Sequence, residues 1–136
     1  CIVMVQTALE EKQQHFHVNK DISYPYIYID MTYMSEIILN ILSNAIKYTP
    51  SGGKIYFKLA KIQNKPVLTI RNTDSYIPPE DLKHVFERFY RVDKSRKYQG
   101  GAGLGLSIAS QIAQSHKIKL SVTSDEKQGT EFTLNF

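Results

Sequence analysis

The stretch from residue 31 to residue 48 constrains the fold more than any other part of the sequence. Its apolar residues recur at i, i+3, i+4, i+7, i+8 and i+11, the spacing of one face of an α-helix. This apolar set consists of Met34, Ile37, Ile38, Ile41, Leu42 and Ala45. The segment Pro-Ser-Gly-Gly at 50–53 then stops the helix. Because a helix with one long apolar face must bury it, the rest of the chain has to supply a layer for it to cover.

Most of the remaining sequence alternates between apolar and polar residues, which predicts strands. The predicted strands are 15–22, 26–30, 54–60, 66–72, 117–124 and 130–136. Further helices are predicted near 1–13, over 78–89 and after the glycines at 100–105, with a mobile loop over 91–99. The fold class is therefore α/β: a two-layer sandwich whose mixed, mostly antiparallel sheet of about five strands is covered on one face by three helices.

The composition fits one soluble domain spanning residues 1–136, since a chain of this length matches a single ordinary domain. No run of residues is long and apolar enough to cross a bilayer. The only cysteine, Cys1, allows neither an internal disulfide nor a CxxC metal site, so we expect a reducing compartment. The start at Cys1, directly in helical sequence, suggests a segment of a longer protein. The 17 basic and 13 acidic residues give a net charge of +4, but the basic residues are too scattered to predict nucleic-acid binding.

One face of the predicted 31–48 helix is polar in an unusual way. Glu36, Asn40, Asn44 and Lys47 are spaced by 4, 4 and 3 residues and so project from the same side. Asparagine is a poor helix former, so two in a helix interior call for a reason. An amide oxygen can coordinate Mg²⁺ and an amide NH₂ can donate to phosphate. A solvated polar face is an equally good interpretation of the helix alone.

The sequence GGAGLGL at 100–106 places bare backbone amides before a helix N-terminus, which is a ready anion site. It is not a P-loop, because no Gly-Lys-Ser/Thr follows. It is also not a dinucleotide fingerprint, because Leu106 replaces the last glycine and a charged loop rather than a strand precedes it. The alternative is a flexible hinge that merely begins a helix.

The segment FERFYRVDKSR at 86–96 combines aromatic residues, which can anchor a loop on the core, with basic residues that can reach phosphate oxygens. Its basic residues include Arg91, Lys94 and Arg96. A solvated charge run would be the preferred interpretation of this segment taken alone.

Taken together and in this order, these motifs resemble the catalytic ATP-binding domain of bacterial two-component sensor histidine kinases. That superfamily also contains gyrase, heat-shock chaperone and mismatch-repair ATPases. The resemblance extends from about Met4 to Phe136, and NILSNAIKYTP with GGAGLGLSIA carries most of it. It implies ATP and Mg²⁺ as ligands and makes the predicted loop at 91–99 a mobile ATP lid.

The asparagine helix acquires specific roles from the resemblance. Asn44 is implied as the Mg²⁺ ligand, and Asn40 as a partner on the phosphate or metal side. Lys47 would meet phosphate, and Tyr48 would stack near the adenine or ribose. Mg²⁺ keeps several waters and takes few protein ligands, so one amide oxygen with triphosphate oxygens is chemically adequate.

The resemblance assigns the base pocket and the lid as well. Asn72 stands where the family usually has an aspartate that accepts from the adenine amino group, Ile77 would line the pocket, and Thr130 would lie near the adenine. Arg91 and Arg96 match lid arginines that contact phosphates, with Lys94 assisting. The lid hinge and helix start correspond to Gly101, Gly103, Leu104, Gly105 and Leu106. Lys47, Arg91 and Arg96 would carry catalysis by positioning and charge neutralisation.

The base loop departs from the family pattern Asp-x-Gly-x-Gly, because Asn72, Asp74 and Tyr76 replace the aspartate and both glycines. An amide oxygen still accepts a hydrogen bond, but without charge assistance, so we expect weakened ATP binding. Asp74 and Tyr76 are also expected to tolerate positive φ less well than glycine.

None of the four histidines lies in a phosphoacceptor motif. The leading hypothesis is therefore a kinase domain that donates the ATP γ-phosphate to a histidine on a separate dimerisation domain, for onward transfer to a response-regulator aspartate. The implied parent is a homodimer in the bacterial cell membrane, with this domain cytoplasmic and monomeric as a fragment. The alternatives are a degenerate pseudokinase acting as a binding module, nucleic-acid binding, ranked last, and ATP hydrolysis through Glu36, weakened because Asn40 holds the position of the ATPase glutamate.

Overall fold

The computed structural model describes residues 2–21, 27–92 and 102–136. Four helices and five strands lie within these ranges. They are α1 (Ile2–Glu11), β1 (His15–Asp21), α2 (Met31–Tyr48), β2 (Lys54–Ile62), β3 (Lys65–Asn72), α3 (Pro79–Leu82), α4 (Gly105–Ser115), β4 (Lys119–Asp125) and β5 (Gly129–Asn135). None of the helices in these ranges is long and apolar enough to cross a membrane.

The strands form one mixed sheet in the order β1-β2-β3-β5-β4. β1 and β2 are parallel, since α2 carries the chain back between them, and every other pair is antiparallel. The β2–β3 hairpin closes through Gln63 and Asn64 with φ of 49° and 66°. Two successive positive φ angles suit the twist of a two-residue hairpin turn. The predicted mixed, mostly antiparallel five-stranded sheet is confirmed.

The core lies between one face of this sheet and the helices. Ile37, Ile41 and Leu42 of α2 are fully buried, as the helical period predicted. They meet side chains from alternate positions of the central strands, including Ile55, Leu68, Ile70, Phe132 and Leu134. The residues between these positions point to the opposite face, where Arg71 lies over the ring of Tyr56. Because the sheet buries only one of its two faces, the fold has two layers.

Both ends of α2 are capped by residues outside it. At its start, the Asp30 carboxylate accepts a 2.7 Å hydrogen bond from the Thr32 amide, and this bond lowers the pKa of Asp30. At its end, the Lys12 ammonium donates to the carbonyls of Ile46 and Lys47 at 2.7 and 2.9 Å. A cation at this end complements the helix dipole. The segment after α1 therefore fixes the position of the helix that carries the two asparagines.

Two predicted elements are wrong in the structure. Residues 27–30 of the predicted strand at 26–30 form no strand; Ile29 packs on the core while Tyr28 is fully exposed, so the alternation comes from the approach to α2. The helix predicted over 78–89 is α3 alone. Beyond it, turns closed by i→i−3 bonds replace the helix, and Phe89 adopts φ 64°. Residue 22 of the strand predicted over 15–22, residue 26 of the strand predicted over 26–30 and residues 93–99 of the predicted lid lie outside the described ranges.

Candidate functional site

A cavity of about 600 Å³ opens at one end of the sheet, between α2, the start of α4 and the ends of β3 and β5. Every predicted site residue that the structure describes lines it. These residues are Asn40, Asn44, Lys47, Tyr48, Asn72, Ile77, Arg91, Gly103, Leu104, Gly105, Leu106 and Thr130. Lys94, Arg96 and Gly101 lie outside the described ranges. Four stretches far apart in sequence, which contain Asn44, Asn72, Gly103 and Thr130, thus supply one concave surface.

One side of the cavity, here called the α2–α4 wall, consists of Asn40, Asn44 and Lys47 together with Gly105. The Asn44 NH₂ donates to the Asn40 carbonyl at 3.0 Å, one turn earlier in the helix. This bond occupies the nitrogen end of the amide, so Oδ1 is the end that can take a ligand. Hard cations such as Mg²⁺ prefer oxygen ligands, and the Asn44 amide fits that requirement.

Gly105 allows α4 to begin close against Asn40. A Cβ at position 105 would lie 2.9 Å from the Asn40 Oδ1 atom, so a larger residue would displace that side chain. Leu104 precedes α4 and provides no side-chain cap for its first amides. The start of α4 thereby presents backbone N–H groups beside Asn40, an arrangement that favours an anion.

Cationic side chains reach the same region. The Lys47 ammonium lies 5.0 Å from the centroid of the Tyr48 ring, and both residues line the cavity. Arg91 also lines the cavity, close in sequence to Phe89, whose amide donates to the Gly103 carbonyl at 3.0 Å. This bond ties together the two described ends of the segment that contains the predicted lid.

The rim near α3 is held by Tyr90, whose hydroxyl donates to the Asp81 carboxylate. This hydrogen bond raises the pKa of Tyr90 to about 12, because ionisation of the phenol would remove it and set two negative charges side by side. Tyr90 therefore stays protonated at neutral pH. The contact anchors the residue next to Arg91 on α3.

The other side of the cavity, here called the β3–β5 wall, is built around Asn72, of which only 2% is exposed. Asn72 follows Leu68 and Ile70 on the core-facing side of β3, at the point where the strand ends. Its Nδ2 atom is enclosed and has no hydrogen-bond partner within the described residues. Buried amides are normally paired, so this group suits a ligand that enters the cavity.

Gly129 makes this wall possible by letting β5 start against β3. It has φ 90°, and a Cβ there would lie 2.0 Å from the Asn72 carbonyl oxygen. The backbone around Asn72 therefore leaves no space for any side chain at position 129. This requirement was not anticipated from the sequence.

Hydroxyl groups brace the loop after β3. Thr130 Oγ1 donates to the Ser75 carbonyl at 3.1 Å and lies 2.9 Å from Ser124 Oγ, which accepts from the Ile77 amide at 2.9 Å. Sequence reasoning missed Ser75 and Ser124. Ser124 could have been found, because it faces Thr130 across the predicted β4–β5 pair.

Asp74 stands where the family pattern Asp-x-Gly-x-Gly has its first glycine. It adopts φ 56°, the left-handed conformation that aspartate accepts more readily than most residues, and its carboxylate accepts from Thr73 Oγ1 at 2.7 Å. Asp74 thus adopts a positive φ itself, although aspartate accommodates this conformation less readily than glycine. Tyr76 is not among the residues with positive φ, so the second glycine of the family pattern is replaced without strain.

Other candidates considered from the sequence lie away from the cavity. Glu36 is exposed and does not line it, although it precedes Asn40 by one turn. Within ranges 2–21, 27–92 and 102–136, no cluster of three or more histidine, cysteine, aspartate or glutamate side chains could hold a metal ion. The amide oxygens of Asn40 and Asn44 remain candidate ligands for a cation in the cavity.

Comparison with known protein families shows which family the chain with this cavity belongs to. Residues 29–136 match the family described as histidine kinase-, DNA gyrase B-, and HSP90-like ATPase. The chain belongs to this ATPase family. The match covers α2, both walls of the cavity and four of the five described strands, β2 to β5.

Relatives within the family are sensor histidine kinases. The chain is 40% identical to WalK of Bacillus subtilis over 79% of its own length, and 38% identical to YkoH of the same organism over 98%. It spans only 18% of WalK and 29% of YkoH. The solved structure of the mycobacterial sensor histidine kinase MprB matches with a TM-score of 0.80 and 28% identity, covering 98% of this chain and 93% of that one. The predicted resemblance to the catalytic domain of sensor histidine kinases is confirmed.

Proposed function

We propose that the cavity binds ATP with Mg²⁺ and presents the γ-phosphate to a histidine on another domain of the parent protein. The observation that carries this proposal is the meeting of Asn44, Lys47, Arg91 and the start of α4 around one concave surface. Amide oxygen, two cations and backbone N–H groups together suit a triphosphate and its metal.

The residues of this chain act in this proposal by positioning and by neutralising charge. Mg²⁺, when bound, would lower the repulsion between the phosphates and the attacking histidine. Asn44 would supply one ligand oxygen to the metal, while Lys47 and Arg91 would hold phosphate oxygens. Asn40 would lie between the metal side and the first amides of α4. Phosphoryl transfer of this kind needs little covalent chemistry from the protein.

The β3–β5 wall would receive the base. Asn72 would accept from the adenine amino group, while Ile77 and Thr130 would line the pocket around it, with Tyr48 stacking near the adenine or ribose. The burial of the Asn72 side chain in the cavity lining supports this assignment. Lys94, Arg96 and the hinge at Gly101 are proposed to complete the phosphate side as part of the lid.

We propose the arrangement of the parent protein and its partners from the same family membership. The acceptor histidine would lie on the dimerisation domain of a homodimeric parent, and a response-regulator aspartate would receive the phosphate next. We also propose that the parent is a membrane protein with this domain in the cytoplasm. Residues 1–136 would form one domain, monomeric by itself and without affinity for nucleic acid.

A calorimetric titration with Mg²⁺ and ATP separates this proposal from the pseudokinase alternative. We expect saturable binding, followed by labelling of the histidine domain when the parent kinase is reassembled with γ-labelled ATP. Absence of binding at millimolar ATP would contradict the kinase proposal. Binding without any transfer in the reassembled protein would favour the pseudokinase.

A further inference from the structure

The Asn72 side chain is buried in the lining of the cavity without a hydrogen bond to any described residue. It is 2% exposed, its Nδ2 atom has no hydrogen-bond partner, and no described residue bonds its Oδ1 atom either. The terminal torsion of asparagine is broad and roughly two-fold. The amide can therefore turn by 180° and direct either its oxygen or its nitrogen at a ligand without losing a hydrogen bond.

The surroundings of Asn72 favour a flat, mostly apolar ligand group. Ile77 and Phe132 line the cavity with Asn72, and Phe132 lies two residues along β5 from Thr130, which pairs with Asn72. The cations Lys47 and Arg91 come from α2 and from the segment after α3. This inference rests on the proposed function, in which the purine base lies against Asn72 and the triphosphate against the cations.

Purines differ at the edge that would meet Asn72. Adenine carries a donor amino group at C6 and an acceptor at N1, whereas a 6-oxopurine carries an acceptor oxygen at C6 and a donor N1–H. An ionised carboxylate can only accept, so aspartate at this place pairs with adenine and repels a 6-oxo group. An amide has one acceptor and one donor end and can pair with either base.

We propose that Asn72 makes the site a general purine nucleotide site, which takes 6-oxopurine triphosphates such as ITP as well as ATP. Asn72 Oδ1 accepts from the amino group of adenine. After rotation of the amide, Nδ2 donates to the 6-oxo group. The specificity of the pocket is thereby set by the shape and apolar lining around the base, and it no longer depends on the hydrogen-bonding pattern at C6.

The test compares the dissociation constants of ATP and ITP, each with Mg²⁺, for the 136-residue chain and two variants. ITP is the appropriate probe because it differs from ATP only at C6 and N1 of the base. Asn72→Asp removes the donor end of the amide. Asn64→Asp makes the same chemical change in the exposed β2–β3 turn and controls for the added negative charge.

The wild type and Asn64→Asp should bind ITP within about tenfold of ATP, and Asn72→Asp should widen that ratio at least tenfold, as expected when a buried acceptor faces another acceptor. A wild type that binds ATP but discriminates against ITP as strongly as Asn72→Asp would overturn the inference and leave the proposed function intact. If neither nucleotide binds the wild type, the proposed function itself is wrong, and this inference with it.

A second variant covers the case in which Asn72→Asp does not fold. Asn72→Leu keeps the side-chain shape and removes both hydrogen-bonding ends. The proposal predicts that ATP and ITP lose affinity by the same factor to within about threefold. Loss of ATP affinity alone would show that Asn72 serves only adenine and would overturn the proposal.

Discussion

The two walls of the cavity differ in what their glycines approach. On the β3–β5 wall, a Cβ at Gly129 would lie 2.0 Å from the Asn72 carbonyl oxygen, which is backbone inside a sheet. On the α2–α4 wall, a Cβ at Gly105 would lie 2.9 Å from Oδ1 of Asn40, the end of a rotatable side chain. The contact on the β3–β5 wall joins two backbone segments of the sheet, whereas the contact on the α2–α4 wall can relax by rotation of one side chain. Substitutions on the first wall should therefore change the stability of the fold, and substitutions on the second should change ligand binding.

The largest expected effect on stability is that of adding a side chain at Gly129 on the β3–β5 wall. Gly129→Ala combines a left-handed φ with a backbone clash and should lower the free energy of unfolding by more than about 3 kcal/mol. Urea denaturation measures this loss. Gly52→Ala is the matched control, because Gly52 has φ 77° and no atom within 4 Å of the added Cβ, so it should lose only about 1–2 kcal/mol. Equal losses would show that the β3–β5 contact is not rigid.

Gly105→Ala tests the other wall. Alanine favours the helix and the Asn40 side chain can rotate away, so the free energy of unfolding should change by less than about 1 kcal/mol. Displacement of Asn40 should nevertheless weaken ATP binding about tenfold, equivalent to about 1.4 kcal/mol. Asn40→Ala should cost a similar factor, and the double variant should cost no more than either single change. If the losses of ATP affinity add in the double variant, the two substitutions do not act through the same displacement of Asn40.

This contrast was only partly predictable from the sequence. The helical period over residues 31–48 fixed α2 and the placing of Asn40, Asn44 and Lys47, because 3.6-residue spacing determines the face directly. The alternation along β3 placed Asn72 on the core side in the same way. The contacts of Gly105 and Gly129 join residues that are 57 or more positions apart, so no local pattern contains them.

Local conformation was predictable only where a residue type determines it. The alternation at residues 27–30 predicted a strand, but a strand also needs a paired neighbour, which the sequence of the segment does not reveal. Likewise, Pro78 and Pro79 correctly marked the start of α3. Beyond its end, Phe86 packs against Phe132 of β5, a tertiary contact that no local pattern contains.

Asn72→Asp should change binding less than the Gly105 variant and in the opposite direction. A carboxylate would accept from the adenine amino group with charge assistance, which should tighten ATP binding by about 1 kcal/mol. Calorimetric titration with Mg²⁺ and ATP measures the change. Weaker ATP binding in a folded Asn72→Asp variant would mean that the loop from Thr73 to Ile77 is adjusted to asparagine.

The smallest effect concerns the rim at Tyr90. Because its pKa is raised from 10.0 to about 12, the Asp81 bond stabilises the fold fully below pH 10 and ceases to do so as the pH rises through 12. A pH titration of phenolate absorbance should show a group near 12 that disappears in Tyr90→Phe. Asp81→Asn should bring this pKa back toward 10. An unchanged titration in Asp81→Asn would rule out the carboxylate as the cause.

The metal dependence of ATP binding tests the central claim most directly, namely that the α2–α4 wall holds Mg²⁺ and ATP through Asn44. Calorimetry should be run with Mg²⁺ and with a chelator, on the wild type, Asn44→Ala and the exposed control Asn19→Ala. Chelation should weaken ATP binding at least tenfold in the wild type and in Asn19→Ala. Asn44→Ala should already bind weakly and should not respond to the chelator. Undiminished, Mg²⁺-dependent binding by Asn44→Ala would contradict the account.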